Sequence, residues 1–468
     1  MATVTVRTIA ALLSALSGAH AGDTILLAPG TFSGLSLIGI NPGGNVTVTS
    51  QNRAKPANLT SFSVSNSSNL TFSHLEMSTA GVTNGLYAYR IQDSRNVRFD
   101  SDFVHGAIGA DPNSAATGFL FRQAGNVSVT NSTFEYLQNG IMDLENNGVL
   151  FSGNSFSHMA ADGIDNAGAS NVRVLNNYFT DTVANTTGLH PDAIQFWNAG
   201  TTVSAENITI SGNTYVRGDG IASQGIFIED DNSLPYRDLR ITNNTIIGAQ
   251  YNGITVGGSS NAEIADNQVI SYGDYQSFML LRHMTVATVA NNHANLFELT
   301  NNANLTRSGD VVNAVVRPGG APTIADAAAR ATYQVGGAAV GIGHFLVVDT
   351  NAPSLASATV AITGGFLAGD ALSATNQAGV TGSYNSATGV LTLSGTASQA
   401  AYQAVLDSVA FSSSASDPTR GGTDTDRTVS FSVKDRAGRS AATTAQIRLA
   451  PAARRQAPVQ ATRSTRQP

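Results

Sequence analysis

The sequence predicts an all-β protein in which a long parallel β-helix is followed by a smaller β-sandwich domain. The first observation is the composition, because 46 glycines and only 12% charged residues are typical of strands joined by tight turns. The second is a short motif that recurs between residues 126 and 269. The third is a change, after residue 330, to alternating apolar segments separated by glycines.

Residues 1–22 predict an N-terminal strand and a capping helix. Val4 and Val6 alternate as in a strand, and an apolar run extends from Ile9 to Leu16. The same run, followed by Ala-His-Ala, also resembles a secretion signal with its cleavage site, but we favour the cap. No run approaches the ~18 apolar residues of a membrane span, so we expect no membrane insertion.

A nine-residue motif defines the β-helix, which we predict over residues 23–310. It reads polar, apolar, any, apolar, two spacers, asparagine, any, apolar, as in Asn171 to Phe179, and copies begin at residues 126, 148, 171, 207, 238 and 261. Repeats of this length stack as coils, and the alternation makes each coil a set of short strands. With coils about 4.8 Å apart, the recurring asparagine should form an internal ladder.

This pattern resembles the right-handed parallel β-helix proteins, a class that includes pectate lyases, alginate lyases and epimerases, polygalacturonases and phage tailspikes. The resemblance covers about residues 20–310. It implies a right-handed coil and a polysaccharide ligand. It leaves the reaction open, because this fold hosts many activities.

The segment 331–450 predicts a β-sandwich domain. Its apolar segments, among them Ala356–Phe366, Ala401–Leu406 and Thr428–Asp435, are taken as strands. They resemble bacterial cadherin-like repeats, which implies a secreted or cell-surface setting and a spacer or attachment role. We predict a linker at 311–330 and a disordered basic tail at 451–468, where proline, glutamine and arginine predominate.

Another strand of each coil opens with glycine or alanine before an apolar residue, and alignment of these pairs predicts neighbours on adjacent coils. The alignment places Asp162 beside Asp192 and Asp165 beside Gln195, and it places Tyr87 in the column of Leu120. The longest interruptions of the repeat precede Asp192 and follow Glu229. Loops that project from a rigid repeat are where ligand sites are usually built.

The candidate site therefore spans several coils and combines acids, amides, aromatic rings and a histidine. Such an elongated face suits a polysaccharide, whose rings stack on aromatic side chains and whose hydroxyls need donors and acceptors. The predicted catalytic residues are His190, Asp192, Asp165, Asp162 and Arg282. The predicted substrate-binding residues are Gln195, Trp197, Glu229, Phe227, Tyr251 and His283.

Three functions fit these residues, and a lyase is the first choice. In β-elimination, His190, tuned by Asp192, takes the C5 proton of a uronic acid, while Arg282 or Ca²⁺ neutralises the sugar carboxylate. A C5-epimerase would use the same proton abstraction, but the order His-Pro-Asp departs from the Asp-Pro-His-Asp/Glu signature of mannuronan epimerases. The acids available for Ca²⁺ are Asp162, Asp165, Asp192 and Glu229.

The alternatives are an inverting glycoside hydrolase, which needs two carboxylates across the scissile bond, and a non-catalytic glycan-binding or adhesive protein. Other chemistry is excluded by composition. The chain has no cysteine and only two lysines, Lys55 and Lys434, so thiol and lysine catalysis are not expected. The net charge of −7 argues against nucleic-acid binding. We predict an extracellular polysaccharide-processing enzyme.

Overall fold

The structure is a computed structural model that describes residues 1–79, 81–82, 86–183, 188, 190–230, 233–272, 274–312, 321–325, 330–342, 346–349, 354–376, 379–435 and 438–451. Two compact units divide the chain, Met1–Pro318 and Gly319–Pro468. The predicted tail lies outside the described residues, apart from residue 451. Within the described residues, no helix has the length and hydropathy of a membrane-spanning segment.

The first unit contains 33 strands that pair in parallel, which confirms the predicted parallel β-helix. A nine-residue helix, α1 (Ile9–Ser17), lies at the N-terminal end of the β-helix and packs Leu12 and Leu16 into its core. A 3-10 turn covers Pro112–Ser114. The strands are β1 (Thr3–Val6), β2 (Thr24–Leu27), β3 (Thr31–Ile38), β4 (Val46–Ser50), β5 (Asn58–Ser65), β6 (Ser68–Ser73), β7 (Glu76–Ser78), β8 (Tyr87–Gln92), β9 (Arg95–Asp100), β10 (Phe103–His105), β11 (Thr117–Arg122), β12 (Gly125–Thr130), β13 (Thr133–Glu135), β14 (Ile141–Leu144), β15 (Asn147–Ser152), β16 (Ser155–Ser157), β17 (Ile164–Ala167), β18 (Ser170–Leu175), β19 (Tyr178–Thr180), β20 (Asp192–Trp197), β21 (Glu206–Ser211), β22 (Thr214–Val216), β23 (Gln224–Glu229), β24 (Tyr236–Thr242), β25 (Thr245–Ile247), β26 (Tyr251–Ala265), β27 (Gln268–Ile270), β28 (Ser277–Met284), β29 (Ala287–Ala290), β30 (His293–Ala294), β31 (Phe297–Thr300), β32 (Leu305–Ser308) and β33 (Val311–Val312).

The pairing arranges these strands in three parallel faces. Sheet 1 contains the strands that carry the first part of the motif, from β4 and β6 through β9, β12, β15, β18, β21 and β24 to β32. Sheet 2 contains the short strands that follow the ladder asparagine, from β7 to β33. Sheet 3 contains β3, β5, β8, β11, β14, β17, β20, β23, the first half of β26, β28 and β31, and it presents the candidate site.

The ladder asparagines form a continuous column of hydrogen bonds inside the turn between sheets 1 and 2. Each Nδ2 donates to the Oδ1 of the next coil at 2.9–3.0 Å and to a carbonyl of the preceding coil at 2.8–3.0 Å. Each backbone N–H donates to the same Oδ1 of the next coil at 2.8–3.1 Å. This confirms the expected internal ladder. Its members are Asn154, Asn177, Asn213, Asn244, Asn267, Asn292 and, at the end, Asp310.

The asparagine that opens the motif forms a separate, more exposed ladder for a different reason. Asn171 and Asn207 have φ of 56° and 57°, a left-handed conformation that asparagine tolerates better than most residues. Their side chains bond at 2.7 Å. The chain turns into sheet 1 at this position. Asparagine is favoured here mainly because it tolerates the left-handed backbone conformation.

The second unit is built from sheets of six, three and two strands around its own core. Arg427 and Asp370 form a fully buried ion pair at 2.7 Å within it. The strands and helix are β34 (Thr323–Ala325), β35 (Arg330–Gln334), β36 (Val340–Gly341), β37 (Leu346–Val348), β38 (Ser354–Gly364), β39 (Asp370–Ser373), β40 (Thr381–Asn385), β41 (Val390–Ser398), α2 (Gln399–Asp407), β42 (Ala410–Ser413), β43 (Asp426–Lys434) and β44 (Thr443–Ala450).

Three details differ from the sequence-based expectation. The segment Ala401–Leu406 lies in helix α2 rather than in a strand, because Tyr402, Val405 and Leu406 are buried at helical spacing. The linker predicted at 311–330 is shorter, since β33 still pairs in sheet 2 and β34 pairs within the second unit. Tyr87 pairs with Thr117 rather than Leu120. The alignment started from Gly85 and Leu86, but β8 begins only after them, at Tyr87.

Replacing Asn213 with alanine should lower the free energy of unfolding by about 3 kcal/mol, since Asn177 would lose the acceptor of two buried donors. Denaturation in guanidinium chloride measures this loss. The control is Asn207→Gly, which keeps the left-handed backbone accessible and removes a bond of the exposed ladder, at a cost below about 1 kcal/mol. Equal losses in both variants would contradict the assignment of stability to the buried ladder.

Candidate functional site

The register of sheet 3 brings the predicted site residues other than His283 onto one face. Asp165 pairs with Gln195, and Gln195 pairs with Phe227, as the alignment predicted. In the next outward position, Trp197 lies beside Ala167. Because side chains two apart on a strand share a face, these two columns form the floor of the site.

A buried chain of polar contacts connects Asp162, Asp192 and His190. The backbone N–H of Asp192 donates to Asp162 Oδ1 at 2.8 Å. His190 Nδ1 lies 3.0 Å from Asp192 Oδ2. The Asp192 side chain is fully buried, whereas 52% of the His190 side chain is exposed. His190 is therefore the member of this chain that solvent or a substrate reaches.

Burial raises the pKa of each of the three aspartates in this cluster. The pKa of Asp162 lies well above its usual range, because burial and the neighbouring charge of Asp192 both disfavour ionisation. Burial raises the pKa of Asp165 to about 7 and that of Asp192 to about 6. The hydrogen bond to Asp192 raises the pKa of His190. Proton affinities shifted toward neutral pH are a feature of acid–base sites.

Trp197 and Phe227 fix the two groups that are candidates for proton transfer. The indole Nε1–H of Trp197 donates to Asp165 Oδ1 at 2.5 Å. This bond favours the ionised form of Asp165 and opposes part of the effect of burial on its pKa. The Phe227 ring meets the His190 ring edge-on at 5.7 Å. Two of the predicted substrate-binding aromatics thus contact Asp165 and His190 directly.

Glu229 and Arg282 form an ion pair across an intervening coil. Arg282 Nη2 donates to Glu229 Oε2 at 2.7 Å, although the register places Gly257 between them. A Cβ at Gly257 would lie 2.6 Å from Glu229 Oε1, so only glycine leaves room for this contact. The guanidinium, predicted to neutralise a sugar carboxylate, is already engaged by a carboxylate of the protein.

The two remaining predicted residues lie away from the acid cluster. Tyr251 is 54% exposed and begins the third coil after Asp165. His283 is exposed at a corner with φ of 56°, where its ring lies 3.4 Å from Asn301. The corner turns the histidine out of the face that Arg282 occupies, which the period of the repeat does not reveal.

Asp143 and Asn166 form a polar pair inside the coil that the sequence analysis missed. They pair in adjacent strands, β14 and β17, and both are fully buried. Asn146 Nδ2 donates to Asp143 Oδ1, and Asn166 Nδ2 donates to the Gln195 carbonyl at 3.2 Å. Among the described residues, Asp143 Oδ2 and Asn166 Oδ1 have no hydrogen-bond partner. The sequence feature that could have revealed this pair is Asp143, an acid at an inward position of the otherwise apolar strand β14.

A calcium ion remains a prediction. Among the described residues, no three His, Asp or Glu side chains are grouped so that they could hold a metal ion. Asp162 Oδ1, Asp165 Oδ1 and Asp192 Oδ2 already have protein partners. This arrangement does not fit a calcium cage built from these acids.

Comparison with known proteins identifies the coil. The family model described as a right-handed β-helix region matches residues 63–216 and 117–294, so the predicted right-handed parallel β-helix is confirmed. The search of curated protein sequences found no match.

Solved structures with a similar fold include enzymes and an adhesin. An alginate lyase from Paenibacillus sp. is 18% identical, with 67% of this chain and 99% of that chain covered and a TM-score of 0.39. The A-module of an Azotobacter vinelandii mannuronan C-5 epimerase is 14% identical, with 65% and 94% covered and a TM-score of 0.42. A Streptococcus pneumoniae surface adhesin is 12% identical, with 62% and 79% covered and a TM-score of 0.42.

Replacing Asp143 with asparagine should flatten the pH dependence of stability. Burial raises the pKa of Asp143 from 3.8 to about 7, so the folded state binds the proton more tightly than the unfolded state does. Between those pH values the group makes stability fall by up to about 1.4 kcal/mol per pH unit as pH rises. Denaturation at several pH values measures the slope, and Asp93→Asn is the exposed control. An unchanged slope in D143N would show that the buried carboxyl is ionised.

Proposed function

We propose that this protein is a polysaccharide-processing enzyme that cleaves glycosidic bonds on the outer face of sheet 3. One observation carries the proposal: an aspartate and a histidine, each with its pKa moved toward neutral pH, stand on one elongated face beside a tryptophan. With a pKa of about 7, Asp165 is partly protonated near neutral pH, and the His190 ring can accept a proton. Such a pair can protonate the leaving oxygen and deprotonate a nucleophile.

The roles follow from exposure and contacts. Asp165 is the proposed general acid, because its pKa of about 7 leaves a protonated fraction that can donate near neutral pH. His190 is the proposed general base, because it is the exposed end of the polar chain. Asp192 orients the His190 ring, and Asp162 holds the backbone of Asp192. Asp162 and Asp192 are therefore positioning residues, because each acts through the next member of this chain of contacts.

Charge balance favours hydrolysis as the reaction. Glycoside hydrolysis builds positive charge on the sugar ring in its transition state, so it needs no cation at the site. β-Elimination builds negative charge, which a cation must offset. Among the described residues of the predicted site, Arg282 is the arginine that could supply this positive charge. Its charge is already offset by the carboxylate of Glu229. We infer that His190 activates a water molecule in this reaction.

β-Elimination on a uronic-acid polymer is the second candidate, and one observation favours it. Asp192 contacts His190 through Nδ1, which leaves the Nε2 of the half-exposed ring to take the C5 proton of a sugar. The same Asp165 would then protonate the leaving oxygen. A non-catalytic glycan-binding protein would keep the face and need neither proton transfer.

We also propose an extracellular or cell-surface setting, in which the cadherin-like second unit acts as a spacer or attachment domain. Its support is the resemblance of its alternating segments to such repeats. A secreted location would bring the coil to the polymers that its elongated face suits.

The reaction is tested with a panel of acidic and neutral polysaccharides, each followed for new reducing ends and for the ultraviolet absorbance of unsaturated products. Reducing ends without absorbance are expected for hydrolysis, and both signals together for elimination. Asp165→Asn should lower kcat about 10²–10⁴-fold if Asp165 is the acid. Parallel assays with EDTA and with added Ca²⁺ test the predicted ion. No product from any polymer would sink the enzymatic proposal.

Trp197→Phe should move the alkaline limb of the kcat/KM profile to higher pH. The indole hydrogen bond lowers the pKa of Asp165, so its loss leaves Asp165 protonated over a wider range. A bond worth about 1 kcal/mol corresponds to a displacement of roughly 0.7 pH units. Phe227→Leu is the control, because that ring contacts His190 and leaves Asp165 unchanged. An alkaline limb that stays in place in W197F would remove Asp165 from the acid role.

A further inference from the structure

A cluster of exposed aromatic rings lies beyond the acid cluster on the C-terminal side of the site. Tyr251 and Tyr275 meet edge-on, with ring centroids 5.8 Å apart and planes at 80°. Phe278 lies 6.5 Å from Tyr251. Tyr251 is 54% exposed and Tyr275 is 39% exposed. These rings contact one another but are not part of the core, so the core does not explain their presence.

A nearly buried arginine fixes the segment that carries Tyr275. The Arg217 guanidinium bonds both carboxylate oxygens of Asp274, at 2.5 and 3.1 Å. It also lies 4.6 Å from the ring centre of Tyr272 and 5.8 Å from that of Tyr275. Asp274 Oδ1 in turn accepts the N–H of Tyr275 at 2.9 Å. Bidentate pairing and cation–π contact hold the exposed ring in one place.

The backbone of Tyr251 is held in an uncommon conformation. Its φ is 38°, which bulky residues rarely adopt and which persists only where the surrounding structure imposes it. The next residue, Asn252, donates from Nδ2 to Gln224 Oε1 at 2.6 Å. Gln224 pairs with Asp192. Tyr251 is therefore tied to the polar column that contains the buried aspartates.

This register gives the position of the aromatic pair relative to the acid cluster. Asp192, Gln224 and Asn252 occupy three successive coils, so Tyr251 lies two coils beyond Asp192, or about 10 Å along the axis. Tyr251 pairs with Ser277, on the strand that follows the Tyr275 segment. The rings thus continue the same elongated face rather than opening a separate one.

We propose that Tyr251 and Tyr275 form a subsite that binds the C–H face of a pyranose ring in the polysaccharide, a short distance along the chain from the bond that is cleaved. Sugar rings present an apolar face that packs on aromatic side chains, and tyrosine hydroxyls remain available to the sugar hydroxyls. The two rings are neutral and the Arg217–Asp274 ion pair beside them has no net charge, so the subsite accepts neutral and acidic sugars alike. This inference rests on the proposed function, because its occupant is the substrate of that site.

The test measures binding separately from turnover. The chain has one tryptophan, and it contacts Asp165, so its fluorescence in the Asp165→Asn protein reports occupancy of the site. The ligands are oligosaccharides of increasing length from the polymer that the assay identifies. In this background, Tyr275→Ala is expected to raise Kd about tenfold for oligosaccharides long enough to reach the aromatic pair, and to leave Kd unchanged for shorter ones.

Two further variants separate a sugar contact from a structural role. Asp274→Asn breaks the ion pair on its exposed side and should weaken binding of the long oligosaccharides, with little added loss in the double variant with Tyr275→Ala. Tyr136→Ala is the matched control, because Tyr136 has a φ of 55° and stacks on His158 elsewhere on the coil. In the active protein, Tyr275→Ala should raise KM for long substrates and leave kcat at saturation unchanged.

The outcomes distinguish this inference from the proposed function. If the protein cleaves a polysaccharide and Tyr275→Ala binds long oligosaccharides as the parent does, the subsite is wrong and the proposed function stands. A loss of binding that is equal for every length, or equal in Tyr136→Ala, assigns the tyrosine a structural role and also overturns the subsite. If no polysaccharide is bound or cleaved by the parent protein, both proposals fail.

Discussion

Stacking of equivalent residues one coil apart is the constraint on which the rest of this structure depends. Its clearest expression is the buried column that runs from Asn154 to Asp310. An asparagine amide both donates and accepts, so each one satisfies the turn above and the turn below it. The last member needs only to accept, and a carboxylate serves there, paired with Arg307. The column fixes the register of the coils that it joins, and with it the register of the sheet 3 strands in those coils.

The same stacking creates the chemistry of the candidate site. Residues that lie 18 to 36 positions apart along the chain meet at the distance between coils, so Asp162 and Asp192 lie in direct contact. Close packing removes water from them, and the cost of burying charge raises their proton affinity. A scaffold that stacks equivalent positions in columns can therefore bring acids from successive coils next to each other. The rigid coil then holds them in place.

Stability and function make opposing demands on this face. Buried carboxyls such as Asp143 favour the protonated form, so the folded state loses stability as pH rises through the neutral range. Asn166, which pairs with Asp143, donates a hydrogen bond to the carbonyl of Gln195 on the neighbouring strand. Polar groups inside an otherwise apolar coil are costly unless they are satisfied. Their place directly behind the acid cluster is consistent with a site whose requirements outweigh that cost.

The sequence by itself determined the coil, the asparagine ladder, and the pairing of Asp165 with Gln195, because all three depend only on the period of the repeat. The tertiary structure decided the contacts between residues that do not occupy equivalent positions of the repeat. Trp197 reaches Asp165, Glu229 meets Arg282 over Gly257, and Tyr275 meets Tyr251 through a segment fixed by Arg217. His283 leaves the face at a corner. These depend on side-chain direction and on turns with left-handed backbone, which a one-dimensional repeat does not encode.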